Sequence, residues 1–162
     1  MSKVAVVYWS GTGNTEAMAM AVAEGAKGKG AEVSVITAAE FSPEQVGEYS
    51  AIAFGCPSMG SEQLEESEFE PMFTACEGRL SGKNIALFGS YGWGDGEWMR
   101  SWESRCNDDG ANLACESVIC NEAPDDDALA ACASWAHLWP DKSTAEGRRR
   151  LSPAFSLVPR SA

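Results

Sequence analysis

A short apolar run, Val4-Ala5-Val6-Val7-Tyr8, opens directly into Ser10-Gly11-Thr12-Gly13-Asn14-Thr15. Apolar and small residues then recur at helical spacing: Ala17, Met18, Ala21, Val22, Gly25 and Ala26. A run rich in β-branched residues and apolar on both sides predicts a strand buried on both faces. The stripe predicts an amphipathic helix, which Gly28 and Gly30 stop. Strand, glycine-rich turn and helix in this order start a parallel sheet whose ligands bind beyond the carboxyl ends of its strands. Glycines let the backbone turn sharply and approach a ligand closely. Amides at the helix N-terminus, with the hydroxyls of Ser10, Thr12 and Thr15, can donate to phosphate oxygens. The loop holds no Lys or Arg, so a phosphate bound here is held by dipoles and hydrogen bonds. Glu16 follows Thr15, which removes the Gly-Lys-Ser/Thr ending of a nucleotide-triphosphate loop and the third small residue of a dinucleotide fingerprint. The plain alternative is an ordinary strand–helix turn.

The alternation continues. Val33–Ile36, Ala51–Phe54, Asn84–Phe88 and residues 113–120 read as further strands. A short helix is expected over 42–49, started by Ser42-Pro43. A second runs from about Glu66 to about Cys76, with Ser67 and Glu70 spaced as a capping box. A third carries Trp98, Met99, Trp102 and Cys106 on one face, and a last one spans 125–138. Strands alternating with helices imply a parallel sheet covered on both faces. Three unusual loops, after Tyr8, Phe54 and Phe88, therefore converge on one sheet edge.

With 162 residues and a net charge of −12, the chain has room for one domain and its core. Residues 1–139 hold 22 acids against 7 bases, a balance that repels nucleic acid and favours either steering toward basic partners or plain solubility. Met1-Ser2-Lys3 leads straight into a strand pattern and resembles no signal peptide, and no apolar run reaches membrane-span length, so a cytoplasmic protein without a membrane is expected. Cys56, Cys76, Cys106, Cys115, Cys120 and Cys132 form no CxxC pair or zinc spacing and read as buried thiols. His137, near a helix end, has no nucleophile or acid arranged around it. No metal site and no catalytic residue is expected. Residues 140–162 break the pattern with Pro140, an Arg triplet and Leu157-Val158-Pro159-Arg160, which resembles a thrombin site. They read as an appended remnant or a disordered tail, or as a native basic partner-binding tail, outside a domain of residues 1–139.

Tyr8-Trp9-Ser10-Gly11-Thr12-Gly13-Asn14-Thr15-Glu16 resembles the FMN phosphate loop of bacterial flavodoxins. Glu65-Glu66-Ser67-Glu68-Phe69-Glu70-Pro71 and Leu87-Phe88-Gly89-Ser90-Tyr91-Gly92-Trp93-Gly94-Asp95 resemble the same family, particularly its short-chain forms from anaerobic bacteria. The likeness runs in order from residue 3 to about 138. It implies an α/β, doubly wound, five-stranded parallel sheet of order 2-1-3-4-5 with helices on both faces, the family's own topology. It implies a low-potential one-electron carrier using non-covalent FMN. The alternative is a small FMN-dependent quinone or azo reductase, which needs a substrate pocket; a non-redox phosphate-binding module is a third class, and leaves Trp93 and the Met59-Gly60 loop unexplained.

The resemblance places Trp9 to Thr15 around the phosphate and Pro57-Ser58-Met59-Gly60-Ser61-Glu62 beside the flavin. The Gly60 carbonyl is implied to turn toward flavin N5–H after the first electron. Met59 lies against the ring or fills core. Glu62 accepts from N3–H or is a solvated loop acid. Trp93, between Gly92 and Gly94, suits stacking on the outer ring face, with Tyr91 lining the pyrimidine end. Ser90 reaches the ribityl chain or phosphate, or makes a local turn bond. Asn121 and Glu122 are candidates for the ring edge. Relatives vary at Pro57, some with a hydroxyl there, and Ser61 replaces an acid found in some; both bear on affinity and potential. The expected partners of this monomer are basic-surfaced redox enzymes, ferredoxin-type reductases and oxidoreductases. They are guided by an acidic rim of Glu62, Glu65, Glu66 and Glu70, or that rim is merely a solvated face.

Overall fold

The computed structural model describes residues 3–11, 13–59, 63–92, 94, 96–113 and 117–134. The strands are β1 (Lys3–Tyr8), β2 (Glu32–Thr37), β3 (Ala51–Gly55), β4 (Asn84–Tyr91), β5 (Asn112–Leu113) and β6 (Val118–Asn121). The helices are α1 (Asn14–Gly28), α2 (Pro43–Val46), α3 (Phe69–Cys76), α4 (Glu97–Asp108) and α5 (Asp126–Ser134). All strand pairs are parallel, in the order β2-β1-β3-β4-β5, with β6 also on β4. This is the expected doubly wound sheet.

Strand residues alternate between two cores. Ala5, Val7, Ile52, Phe54, Ile85 and Leu87 face a core shared with α3 and α4, whose large residues are Phe69, Phe73, Trp98 and Trp102. Phe54 meets Phe41, Phe69 and Phe73 edge-to-face, with centroids 6.3, 6.5 and 5.2 Å away. Val4, Val6, Ala51, Ala53, Ala86 and Phe88 face the other way, onto Met18, Ala19, Val22 and Ala23 of α1 and Cys132 of α5. The second core is built of smaller residues, so backbones approach closely: a Cβ on Gly25 of α1 would run into the Ala133 carbonyl.

Several local expectations need correction. Ala17 is exposed, and Ala19 and Ala23 complete the buried stripe of α1 instead. The segment expected as a strand over 113–120 forms two pieces: β5 pairs with the start of β4 and β6 with its end. The helix expected over 42–49 is the shorter α2, preceded by a 3₁₀ turn at Ala38–Glu40. Helix α3 starts at Phe69, later than expected, and the Ser67/Glu70 box does not form. The Ser67 hydroxyl donates to Glu65 instead. Trp98, Met99, Trp102 and Cys106 are all buried, as their spacing predicted. His137, Cys115 and the tail from residue 140 lie outside the described residues. Among the described residues no helix is long and apolar enough to cross a membrane.

Candidate flavin site

Because β1, β3 and β4 are adjacent and parallel, the loops leaving them meet at one edge. There they enclose a pocket of about 300 Å³. Trp9, Gly11 and Asn14 come from the first loop, Pro57, Ser58 and Met59 from the second, and Ser90, Tyr91 and Gly92 from the end of β4 and beyond. Glu122, just past β6, completes the wall.

The first loop is held by its own backbone and one hydroxyl. The Trp9 N–H donates to the Gly55 carbonyl (3.0 Å), tying the loop to β3. The Ser10 Oγ accepts from the N–H groups of Gly13 (3.0 Å) and Glu16 (3.2 Å). Gly13, at φ 96°, takes the left-handed conformation that caps α1. The next two amides, of Asn14 and Thr15, have no partner among the described residues. The Trp9 ring lies over Gly11 so closely that a Cβ there would sit 2.9 Å from it. Thr15 is buried, with its hydroxyl 3.4 Å from that of Ser90. Burial first, and the Glu16 carboxylate second, push the Tyr8 hydroxyl above its ordinary range.

The second loop is closed at its neck. Cys56 donates its N–H to Phe88 (3.1 Å), its carbonyl accepts from Trp98 Nε1 (3.2 Å), and its sulfur accepts from the Glu65 N–H (3.3 Å). Farther out, Met59 and Gln63 exchange two backbone bonds of 2.8 Å. The Ser58 N–H donates to the Ser90 carbonyl (3.0 Å), but its Oγ is buried with no hydrogen-bond partner among the described residues. Such an orphan costs about 1–3 kcal/mol unless a ligand satisfies it.

At the opposite wall the Tyr91 carbonyl accepts from the N–H of Glu122 (2.8 Å) and from Asn121 Nδ2 (3.3 Å). Glu122 sits at φ 61°, the one described non-glycine residue in the left-handed region, a strained geometry typical of ligand sites. That turn carries Glu122, not Asn121, into the pocket wall. Ser10, Gly13, Thr15, Gly94 and Asn121 do not line the pocket itself. Thr12, Gly60, Ser61, Glu62 and Trp93 lie outside the described residues.

The flavodoxin family model matches residues 6–135. The chain is 48% identical over 122 residues to a flavodoxin from Megasphaera elsdenii, covering 75% of this chain and 88% of that one. It is 45% identical over 121 residues to a flavodoxin from Clostridium beijerinckii, with the same coverage. The solution structure of two-electron-reduced Megasphaera elsdenii flavodoxin superposes with a TM-score of 0.74, covering 82% of this chain and 98% of that one. This chain belongs to the flavodoxin family.

Flavodoxins bind FMN and carry electrons. The residues here fit that cofactor. Two amides at the start of α1 without a partner among the described residues suit a phosphate, and the buried Ser58 Oγ has none either. Among the described residues no cluster of three His, Cys, Asp or Glu gathers as a metal site.

The acidic rim differs from its sequence expectation. Glu65 is only 5% exposed. Its carboxylate accepts from the N–H groups of Ser67 (2.9 Å), Glu68 (2.8 Å) and Phe69 (2.9 Å), and from the Ser67 hydroxyl. Burial pushes this carboxyl up, but the Ser67 hydroxyl and the three amides outweigh it and hold it below its ordinary range. Glu70 is engaged by Arg105 at Nη1 (3.0 Å) and Nη2 (2.7 Å), which lowers its carboxyl too. Glu66 is exposed. No sequence pattern announced the Arg105 contact, because it joins residues 35 apart.

Proposed function

We propose that this flavodoxin-family chain is a low-potential, one-electron carrier whose FMN occupies the pocket at the carboxyl edge. The observation that carries the reading is the convergence of three separate loops on one pocket in which the buried Ser58 hydroxyl has no partner among the described residues. FMN supplies reversible one- and two-electron chemistry; the chain supplies binding, orientation and field. The amides of Asn14 and Thr15, at the mouth of the pocket, hold the phosphate without a cation, and the Ser10 hydroxyl braces the turn that presents them. Met59 and Tyr91 flank the ring system, and Ser58 and Ser90 offer hydroxyls to its polar edge or side chain. The Glu122 carboxylate at the wall disfavours negative charge gained on reduction, which keeps the potential low. The roles proposed for Thr12, Gly60, Ser61, Glu62 and Trp93 rest on the family resemblance.

The carrier unit is residues 1–139, and its partners are redox proteins with basic surfaces. Among the described acids of the rim, Glu66 is the one placed to steer them. The cytoplasm is the compartment we propose, supported by five described cysteines without disulfides. The chain spans 88% of two relatives that are themselves flavodoxins, which supports a carrier over an FMN-dependent quinone or azo reductase. The test is stepwise anaerobic reduction of the FMN-saturated protein, followed by visible absorption. Accumulation of a one-electron-reduced form well before full reduction is expected. Direct passage to the two-electron form would overturn the carrier reading.

A further inference from the structure

A second and larger recess, of about 560 Å³, lies beside the flavin pocket. One wall is the segment Gln63–Glu66 with Glu70 at the start of α3; the other is the face of α4 carrying Glu97, Trp98, Ser101, Trp102 and Arg105. Leu64, Trp98 and Trp102 are 8%, 2% and 2% exposed and supply its apolar floor, while Glu66 and Glu97 stand exposed at its rim. Trp102 also carries a buried indole N–H without a partner among the described residues.

The charge of this groove is one-sided. Its lining holds three carboxylates and one guanidinium. That guanidinium, Arg105, is bound at 2.7 Å by both Glu70 and Glu77, so two carboxylates balance it. The ion pair of Glu97 with Arg100 is exposed on both sides, where water weakens it. Glu66 stands exposed at the rim with no ion pair among the described residues. An apolar floor under an acidic rim matches a side chain with a hydrocarbon stem and a cationic head, which is lysine or arginine.

The groove is also joined to the flavin pocket. Gln63 at its edge is bonded to Met59 in the pocket wall, and the Trp98 ring packs 5.4 Å from that of Tyr91. We infer that this groove seats a lysine or arginine side chain of the redox partner and so fixes the partner beside the flavin edge. The inference rests on the carrier reading of the neighbouring pocket.

The test titrates the FMN-loaded, ¹⁵N-labelled chain with acetylated tetralysine amide at low salt, with tetraglutamate as control. Expected are saturable shifts of the Trp98 and Trp102 indole N–H signals and of the Leu64 and Ser101 amides. Glu66→Lys should weaken the peptide roughly tenfold. Ser101→Phe, which fills the groove without changing charge, should weaken it by a similar factor. Shifts centred on Asp125–Asp127, shifts that never saturate, or unchanged affinity in Ser101→Phe would each overturn the groove. Failure of the chain to take up FMN would instead overturn the carrier reading, and is read separately from the visible spectrum.

Discussion

Helices α1 and α3 follow neighbouring strands of the sheet and begin at the same edge, yet their first turns are satisfied in opposite ways. At α3 an internal anion fills the site: Glu65 takes three consecutive amides, of Ser67, Glu68 and Phe69. At α1 the internal partner is neutral and takes less: Ser10 Oγ holds Gly13 and Glu16, and the amides between them stay open among the described residues. Both helix starts attract negative charge by the same dipole. What separates a structural N-terminus from a ligand-binding one is whether the chain supplies the anion. Two adjacent glutamates mark the difference on the α3 side, Glu65 turned inward and Glu66 left to water.

The largest effect expected comes from emptying the filled turn. Glu65→Ala should lower stability by about 3 kcal/mol, since hydrogen bonds to a charged group contribute roughly 1.5–3 kcal/mol. A urea midpoint at neutral pH reads it; a change below about 0.5 kcal/mol would mean that water replaces the carboxylate at no cost. The reverse operation fills the open turn. Ser10→Asp puts a carboxylate among the α1 amides, and FMN affinity should fall roughly 100-fold as phosphate meets a like charge. Quenching of flavin fluorescence on titration measures this, and an unchanged dissociation constant would place the phosphate elsewhere.

Ser58→Ala removes the buried hydroxyl that has no partner. FMN affinity should drop roughly tenfold while the apoprotein holds its stability or gains about 1 kcal/mol. Loss of apoprotein stability instead would show that the hydroxyl serves the fold. The smallest effect is a pH dependence. Glu65 has a folded-state pKa below its unfolded value, near 4.5, so its contribution is complete above that value. It fades as pH falls through the folded pKa. The stability gap between the native chain and Glu65→Gln should therefore be constant from pH 7 to about 5 and close below about 4.5. A gap that persists at pH 2 would argue against the carboxylate as its source.

Strand and helix order was legible because each element carries its own period, and the parallel order followed from the family resemblance. The α1 loop was legible because glycines and hydroxyls crowded into six positions state their purpose locally. The start of α3 was not. Ser67 and Glu70 have the spacing of a capping box, but Glu65 takes both donors that box needs, the Ser67 amide with its carboxylate and the Glu70 amide with its backbone carbonyl. The Arg105 bridge to Glu70 and Glu77 was equally hidden, since it joins residues far apart in sequence. Glu122 was noticed as a neighbour of the ring edge, but its left-handed backbone, which aims it, leaves no mark in a sequence without glycine there.

The thiols have a practical consequence for anyone handling the protein. Cys56, Cys76, Cys106 and Cys132 are buried, and Cys120 is half-buried. Burial raises the Cys76 and Cys106 thiols to about 11 and about 12, and Cys56 further still. The thiolate is the species that reacts with alkylating agents and peroxides, so burial slows the reaction of Cys56, Cys76 and Cys106 while the chain is folded. Cys56, at the neck of the loop beside the flavin, can sit next to moving electrons without becoming a redox partner to them. Alkylation of the four buried cysteines then waits on opening of the core, and its rate becomes a clock for how often the molecule unfolds.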